Sequence, residues 1–124
     1  MLKFEATKST PYVNISVKDC KFEIKGLSYA NDSDIFFKPI LEYINTEFNN
    51  LKCSLNCEFY LTVFNSVTYK YLLNMMTKFM MLNKIGKDIR ITWYYDKDDE
   101  DNLESAEDIS NLFNIPFELK EYIN

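Results

Sequence analysis

Apolar and polar residues alternate along Tyr12-Val13-Asn14-Ile15-Ser16-Val17 and again along Cys20-Lys21-Phe22-Glu23-Ile24-Lys25. A period of two sends every second side chain to one face, so the runs predict two strands with one buried face. Lys18-Asp19 lies between them as the turn of a β-hairpin, and Gly26 is expected to break the second run. The period then changes. Phe37, Ile40, Leu41, Ile44 and Phe48 fall on one helical face behind Asn31-Asp32-Ser33-Asp34, a cluster with N-cap chemistry. Pro39 conflicts with a helix that starts at Ser33. Either the regular helix begins near Phe36, which puts proline in the first turn, or it is kinked. Asn49-Asn50 ends it.

Leu55, Cys57, Phe59, Leu61 and Val63 alternate again, predicting a strand over residues 54–64. Asn65-Ser66-Val67-Thr68 is a second cap-like cluster. Behind it Leu72, Met75, Met76, Phe79 and Leu82 keep helical spacing until Gly86 stops the run as a C-cap would. Residues 89–95 form the next strand. An acidic loop, a short helix over 105–113 and an apolar tail at Ile115-Pro116-Phe117 follow, with room for one last strand. The order is β-β-α-β-α-β-α. Strand-helix-strand over residues 54–95 is a crossover unit, a connection that joins parallel strands with a right-handed path. The expected fold class is therefore α/β: a single-domain sandwich over residues 1–124, with a mixed sheet, an N-terminal hairpin, that crossover and about three helices.

Composition narrows the function. The chain has 124 residues, 47% of them hydrophobic and 16% aromatic, enough to bury one core. Its formal net charge of -5 repels phosphate backbones and anionic lipid, which argues against nucleic acid and membrane surfaces as partners. Lys3 and Glu5 interrupt the N-terminus where a signal peptide needs an apolar run, so a soluble, cytoplasmic protein is expected. Cys53 and Cys57 would lie about 13 Å apart on one strand face, too far for a disulfide. Cys20, Cys53 and Cys57 are accordingly read as reduced thiols serving as small core residues, and without histidine zinc has too few ligands.

The absence of histidine also removes the common Ser-His and Cys-His nucleophile pairings, and both glycines are isolated, so no phosphate loop exists. No catalytic residue and no cofactor are expected. Asp96-Lys97-Asp98-Asp99-Glu100-Asp101 suggests an EF-hand loop closing on Glu107. However, Asp101 stands where the loop needs glycine, and a strand precedes it, so a solvated charged loop is the better reading. A small metal enzyme using Asp96, Asp98 and Asp99 is the competing hypothesis. Met75 and Met76 read as core, and Met80 and Met81 as partly exposed. Asn65-Ser66-Val67-Thr68 sits where a strand hands over to a helix N-terminus, a favourable place for phosphate. Ser66 and Thr68 are thus candidate phosphorylation sites, supported by Asn65 and Lys70. The competing reading is that the hydroxyls only cap the helix.

Ser9-Thr10-Pro11, Gly26-Leu27-Ser28-Tyr29, Phe36-Phe37, Phe64-Asn65-Ser66, Ile91-Thr92-Trp93-Tyr94-Tyr95-Asp96, Glu107-Asp108 and Pro116-Phe117-Glu118 occur in an order that resembles the SiaC family of bacterial regulatory phosphoproteins. The resemblance implies a partner-switching module. A dedicated Ser/Thr kinase would phosphorylate the hydroxyl residue after the turn asparagine, which is Ser66 here with Thr68 as runner-up. A PP2C-type phosphatase would reverse this. The unphosphorylated form would bind and activate an effector such as a diguanylate cyclase, raising cyclic di-GMP and favouring biofilm. A constitutive interaction module and a regulator resembling anti-sigma-factor antagonists are the alternatives.

Overall fold

A computed structural model of the protein describes residues 1–122. The chain builds one six-stranded sheet whose spatial order follows its sequence order: β1 Leu2–Phe4, β2 Tyr12–Ser16, β3 Lys21–Ser28, β4 Leu55–Phe64, β5 Ile89–Asp96 and β6 Phe117–Tyr122. β1, β2 and β3 pair antiparallel, and β3 to β6 run parallel. Each parallel connection carries a helix: α1 Ser33–Glu47, α2 Ser66–Lys84 and α3 Glu100–Leu112. The α/β class, the mixed sheet, the N-terminal hairpin and the β4-α2-β5 crossover agree with the sequence pattern.

The period-two alternation does its work here. Val13, Ile15, Phe22, Ile24, Cys57, Phe59, Leu61, Ile91 and Trp93 share the buried face, against Phe37, Ile40 and Ile44 of α1 and Leu72, Met75, Met76 and Phe79 of α2. Ala106 and Ile109 of α3 join the same cluster. Met75 and Met76 are core, while Met81 is exposed. The opposite face is polar and aromatic. Tyr60 stacks on Tyr94 at 4.0 Å, and Lys25 stands 4.8 Å from the Tyr60 ring. The neighbouring Tyr60 hydroxyl, then burial and the Glu58 carboxylate to which Tyr94 donates at 3.0 Å, hold the Tyr94 hydroxyl well above the usual phenol range. Burial alone would raise Glu23, but Lys25 at 2.7 Å and Lys21 at 3.1 Å outweigh it and keep its carboxyl below the ordinary value.

Several expectations are corrected. Gly26 does not end the second strand: β3 continues to Ser28, and Gly26, at φ +120, sits where the register against β4 shifts. A left-handed backbone at a bulge suits glycine and lets the strand bend without stopping. α1 starts at Ser33 and runs through Pro39, its N-cap Asp32 making no side-chain cap bond. Proline there has no N–H to give the Ile35 carbonyl, and burial of Phe37, Ile40 and Ile44 offsets that loss. α3 begins five residues before the expected position of 105, because Asp99 accepts from Asn102 N–H as its cap. That capping role, with Asp96 accepting from Asp98 N–H, accounts for part of the acidic run.

The cysteines differ most. Cys20 and Cys53 form a disulfide, with Cα atoms 6.3 Å apart, and only Cys57 is a buried thiol. Neither bridged residue lies in a strand: Cys20 ends the β2-β3 turn and Cys53 precedes β4. Parallel pairing of β3 with β4, Phe22 opposite Cys57, brings the two approaches side by side. Burial without a partner raises the Cys57 thiol well above its ordinary value.

Candidate functional site

The C-terminal ends of β3 and β4 and the first turns of α1 and α2 converge at one pole of the sheet. Asn65, extended at ψ 178, leaves β4 and becomes the N-cap of α2: its side-chain oxygen accepts from Thr68 N–H at 2.9 Å. Its backbone N–H donates to the Ser28 carbonyl at 3.1 Å, and its side-chain amide to the Ala30 carbonyl at 3.4 Å. One residue thus ties the new helix to the end of β3.

Thr68 faces inward. It is fully buried, its hydroxyl donating to the Ser28 carbonyl at 2.9 Å and lying 2.7 Å from the Ser28 hydroxyl. Ser66, the first helical residue, is exposed. Of the two hydroxyls singled out in the sequence, the fold buries one and presents the other. Lys70 is exposed one helical turn after Ser66, its ammonium 6.0 Å from the Tyr71 ring. Tyr71 is stacked on Phe37 at 5.1 Å and donates to the Asp34 carboxylate, a bond that holds its hydroxyl above the usual phenol range. That contact fixes the start of α1 beside the start of α2.

The helix cap uses Thr68 N–H on the Asn65 side chain and Tyr69 N–H on the Asn65 carbonyl. The N–H groups of Ser66 and Val67 are then left at the open, positive end of α2, beside the Ser66 hydroxyl. Around this pole stand exposed apolar side chains: Ile35 at 70%, Val63 at 55% and Tyr29 at 44% of full exposure. Thr62, Val63 and Phe64 also line a groove with Asp99, Asp101 and Ser105 of the α3 start. Among the described residues no group of acidic or cysteine side chains is arranged to hold a metal ion.

Ser28 and Asp34 stand in runs noted in the sequence, but their contacts with Thr68 and Tyr71, like that of the Ala30 carbonyl with Asn65, form only once strands and helices lie side by side. Thr68→Val keeps the shape of the side chain and removes the hydroxyl. It is expected to cost about 1–2 kcal/mol, since the Ser28 hydroxyl loses its buried partner. Urea unfolding of both proteins measures the difference, and a change below about 0.5 kcal/mol, the low end for a net hydrogen bond, would deny the bond this weight.

The pattern of residues 4–122 matches the SiaC family, described as SiaC family regulatory phosphoprotein. The chain belongs to this family. Solved SiaC structures agree in fold. Apo-SiaC from Pseudomonas aeruginosa superposes with a TM-score of 0.86 at 20% identity, covering 96% of this chain and 97% of that one. A chain in the crystal structure of the diguanylate cyclase SiaD in complex with its activator SiaC, from the same organism, gives 0.92 at 20% identity, covering 98% and 100%. An uncharacterized protein of P. aeruginosa strain UCBPP-PA14 is 20% identical over 121 residues, spanning 98% of this chain and 96% of its own. No helix among the described residues is long and apolar enough to cross a membrane.

Proposed function

We propose that this SiaC-family chain is a cytoplasmic partner-switching protein that works by binding, not by catalysis, and that Ser66 is its switch. The observation that carries the reading is the division of labour at the start of α2. Asn65 makes the cap and Thr68 is locked inside, so the exposed Ser66 hydroxyl is not needed for either task. It stands at a pole with three exposed apolar side chains, the kind of surface a protein partner covers.

In this reading the unphosphorylated pole docks on an effector. The effector class is a diguanylate cyclase, by analogy with the P. aeruginosa complex in which SiaC is the activator of SiaD. A Ser/Thr kinase adds phosphate to Ser66 and a PP2C-type phosphatase removes it, and no cofactor takes part. Phosphate brings about -1.5 to -2 charges and a bulky hydrated group to a contact that must desolvate. The free N–H groups of the α2 end and Lys70, one turn on, would hold that phosphate in place.

The test is binding of the purified chain to the diguanylate cyclase of the same cells by calorimetry. Ser66→Asp is expected to weaken binding at least about tenfold, roughly 1.4 kcal/mol, while Ser66→Ala binds as the unmodified chain does. Equal affinity for Ser66→Asp and wild type would overturn the switch. Phosphopeptide mapping after kinase treatment must find the modification on Ser66 and none on Thr68.

A further inference from the structure

We propose that Cys20 and Cys53 are a reversible redox pair, opened by a small thiol such as glutathione and closed by its disulfide, at the pole of the sheet opposite Ser66. The inference does not depend on how Ser66 is read. Three observations support it.

The first is access. Both bridged residues are partly exposed and line a hollow of about 270 Å³ with Val17, Lys18, Asn50 and Lys52, whereas Cys57 is buried. A thiolate from solvent can reach the bridge, and two lysines at its rim favour the thiolate forms on which exchange depends. The second is the backbone. Cys20 is the non-glycine residue with positive φ, +54, among the described residues. A turn needing that conformation favours glycine, asparagine or aspartate. A cysteine in this place works against the local preference, and its partner across the gap gives it a purpose. The third is the core. One contiguous cluster joins all three helices to the sheet, so the fold does not depend on a staple in the way very small domains do.

The exchange balances. A glutathione thiolate attacks one sulfur of the bridge, the protein S–S bond breaks, and the electron pair leaves on the other sulfur, which takes a proton from water. A second glutathione thiolate attacks the mixed disulfide, releasing the second protein thiol and glutathione disulfide. Two glutathione thiols are oxidised and one protein disulfide is reduced; closing is the reverse. Opening frees the 17–20 turn from the segment before β4 and releases a cross-link spanning 33 residues, including α1.

The full chain is equilibrated in glutathione buffers from fully reduced to fully oxidised, trapped directly with excess N-ethylmaleimide at neutral pH while folded, and mapped by mass. Cys20 and Cys53 are expected to pass together from alkylated to bridged within that range, with Cys57 unlabelled unless the protein is unfolded. The bridged form is expected to melt on the order of 10 °C higher. Cys53→Ser removes the redox dependence of melting. Free thiols in the most oxidising buffer, a bridge surviving the most reducing one, or a glutathione adduct on one cysteine in place of the bridge would each overturn the proposal. So would a redox-dependent melting shift that persists in Cys53→Ser.

Discussion

Phe22→Ala is expected to lower the stability of this protein by about 3–5 kcal/mol, the largest loss of any single truncation considered. The ring is almost wholly buried, and it meets three others: Phe59 at 5.5 Å, Phe79 at 5.6 Å and Phe48 at 6.3 Å. Those partners come from β4, from α2 and from the 3-10 turn Phe48–Asn50 that follows α1. One side chain therefore joins the strand that opens the parallel sheet to both of its flanking helical segments. Its removal leaves a cavity that rings on three separate elements cannot all close, so the transfer loss and the cavity cost add. Urea unfolding at a fixed redox state, with the slope unchanged and the midpoint lowered, is the expected result. A loss below about 1 kcal/mol would mean that the cluster collapses around the gap. Phe22→Leu, which keeps most of the volume, is expected to cost less than half as much.

The second large effect is expected at Asn102, a buried amide on the first turns of α3. Its oxygen accepts from the Trp93 indole N–H at 2.7 Å, and its NH2 donates to the carbonyls of Leu61 and Thr62. β4, β5 and α3 are held by one side chain. Asn102→Ala strands a donor and an acceptor in the interior, and each orphaned group costs about 1–3 kcal/mol, for a total of about 3 kcal/mol. Asn102→Asp separates the two halves of the bond set. At neutral pH the new carboxylate still accepts from Trp93 but repels the Leu61 carbonyl. When protonated it can donate again. Burial and that carbonyl therefore raise the pKa of the introduced carboxyl in the folded state, and the variant should regain stability as pH falls through the raised value. Fluorescence of the single tryptophan reads both variants directly. If Asn102→Asp were equally unstable at all pH values, the donated bond to β4 would carry no weight.

Strands β2 to β5 and the two long helices were legible because their burial pattern is written locally, at period two or at helical spacing. The same local grammar identifies Asn65 as a cap. It fails where the signal comes from elsewhere. β1 has three residues and owes its existence to pairing Leu2 with Ile15 and Phe4 with Val13. The first turn of α3 is acidic, and only Asn102, Ala106 and Ile109 of that helix are buried, so its apolar stripe is thin. The difference between Ser66 and Thr68 is of the same kind. Both look alike in sequence, and it is Ser28, forty residues away in the chain, that takes Thr68 inside. The bridge between Cys20 and Cys53 is equally invisible until β3 and β4 lie in register.

The sheet adds its strands in strict chain order, and β6 is the last. Until residues 117–122 arrive, β5 is the outermost strand, and it carries Ile89, Ile91, Trp93, Tyr94 and Tyr95 with an open row of N–H and C=O groups. An apolar, β-prone margin of this sort invites pairing with another copy during synthesis. β6 covers it with Phe117 and Leu119 beside Ile91 and Trp93, and turns outward a margin bearing Glu118, Lys120 and Glu121. Charge along an exposed strand edge disfavours pairing with the edge of another copy.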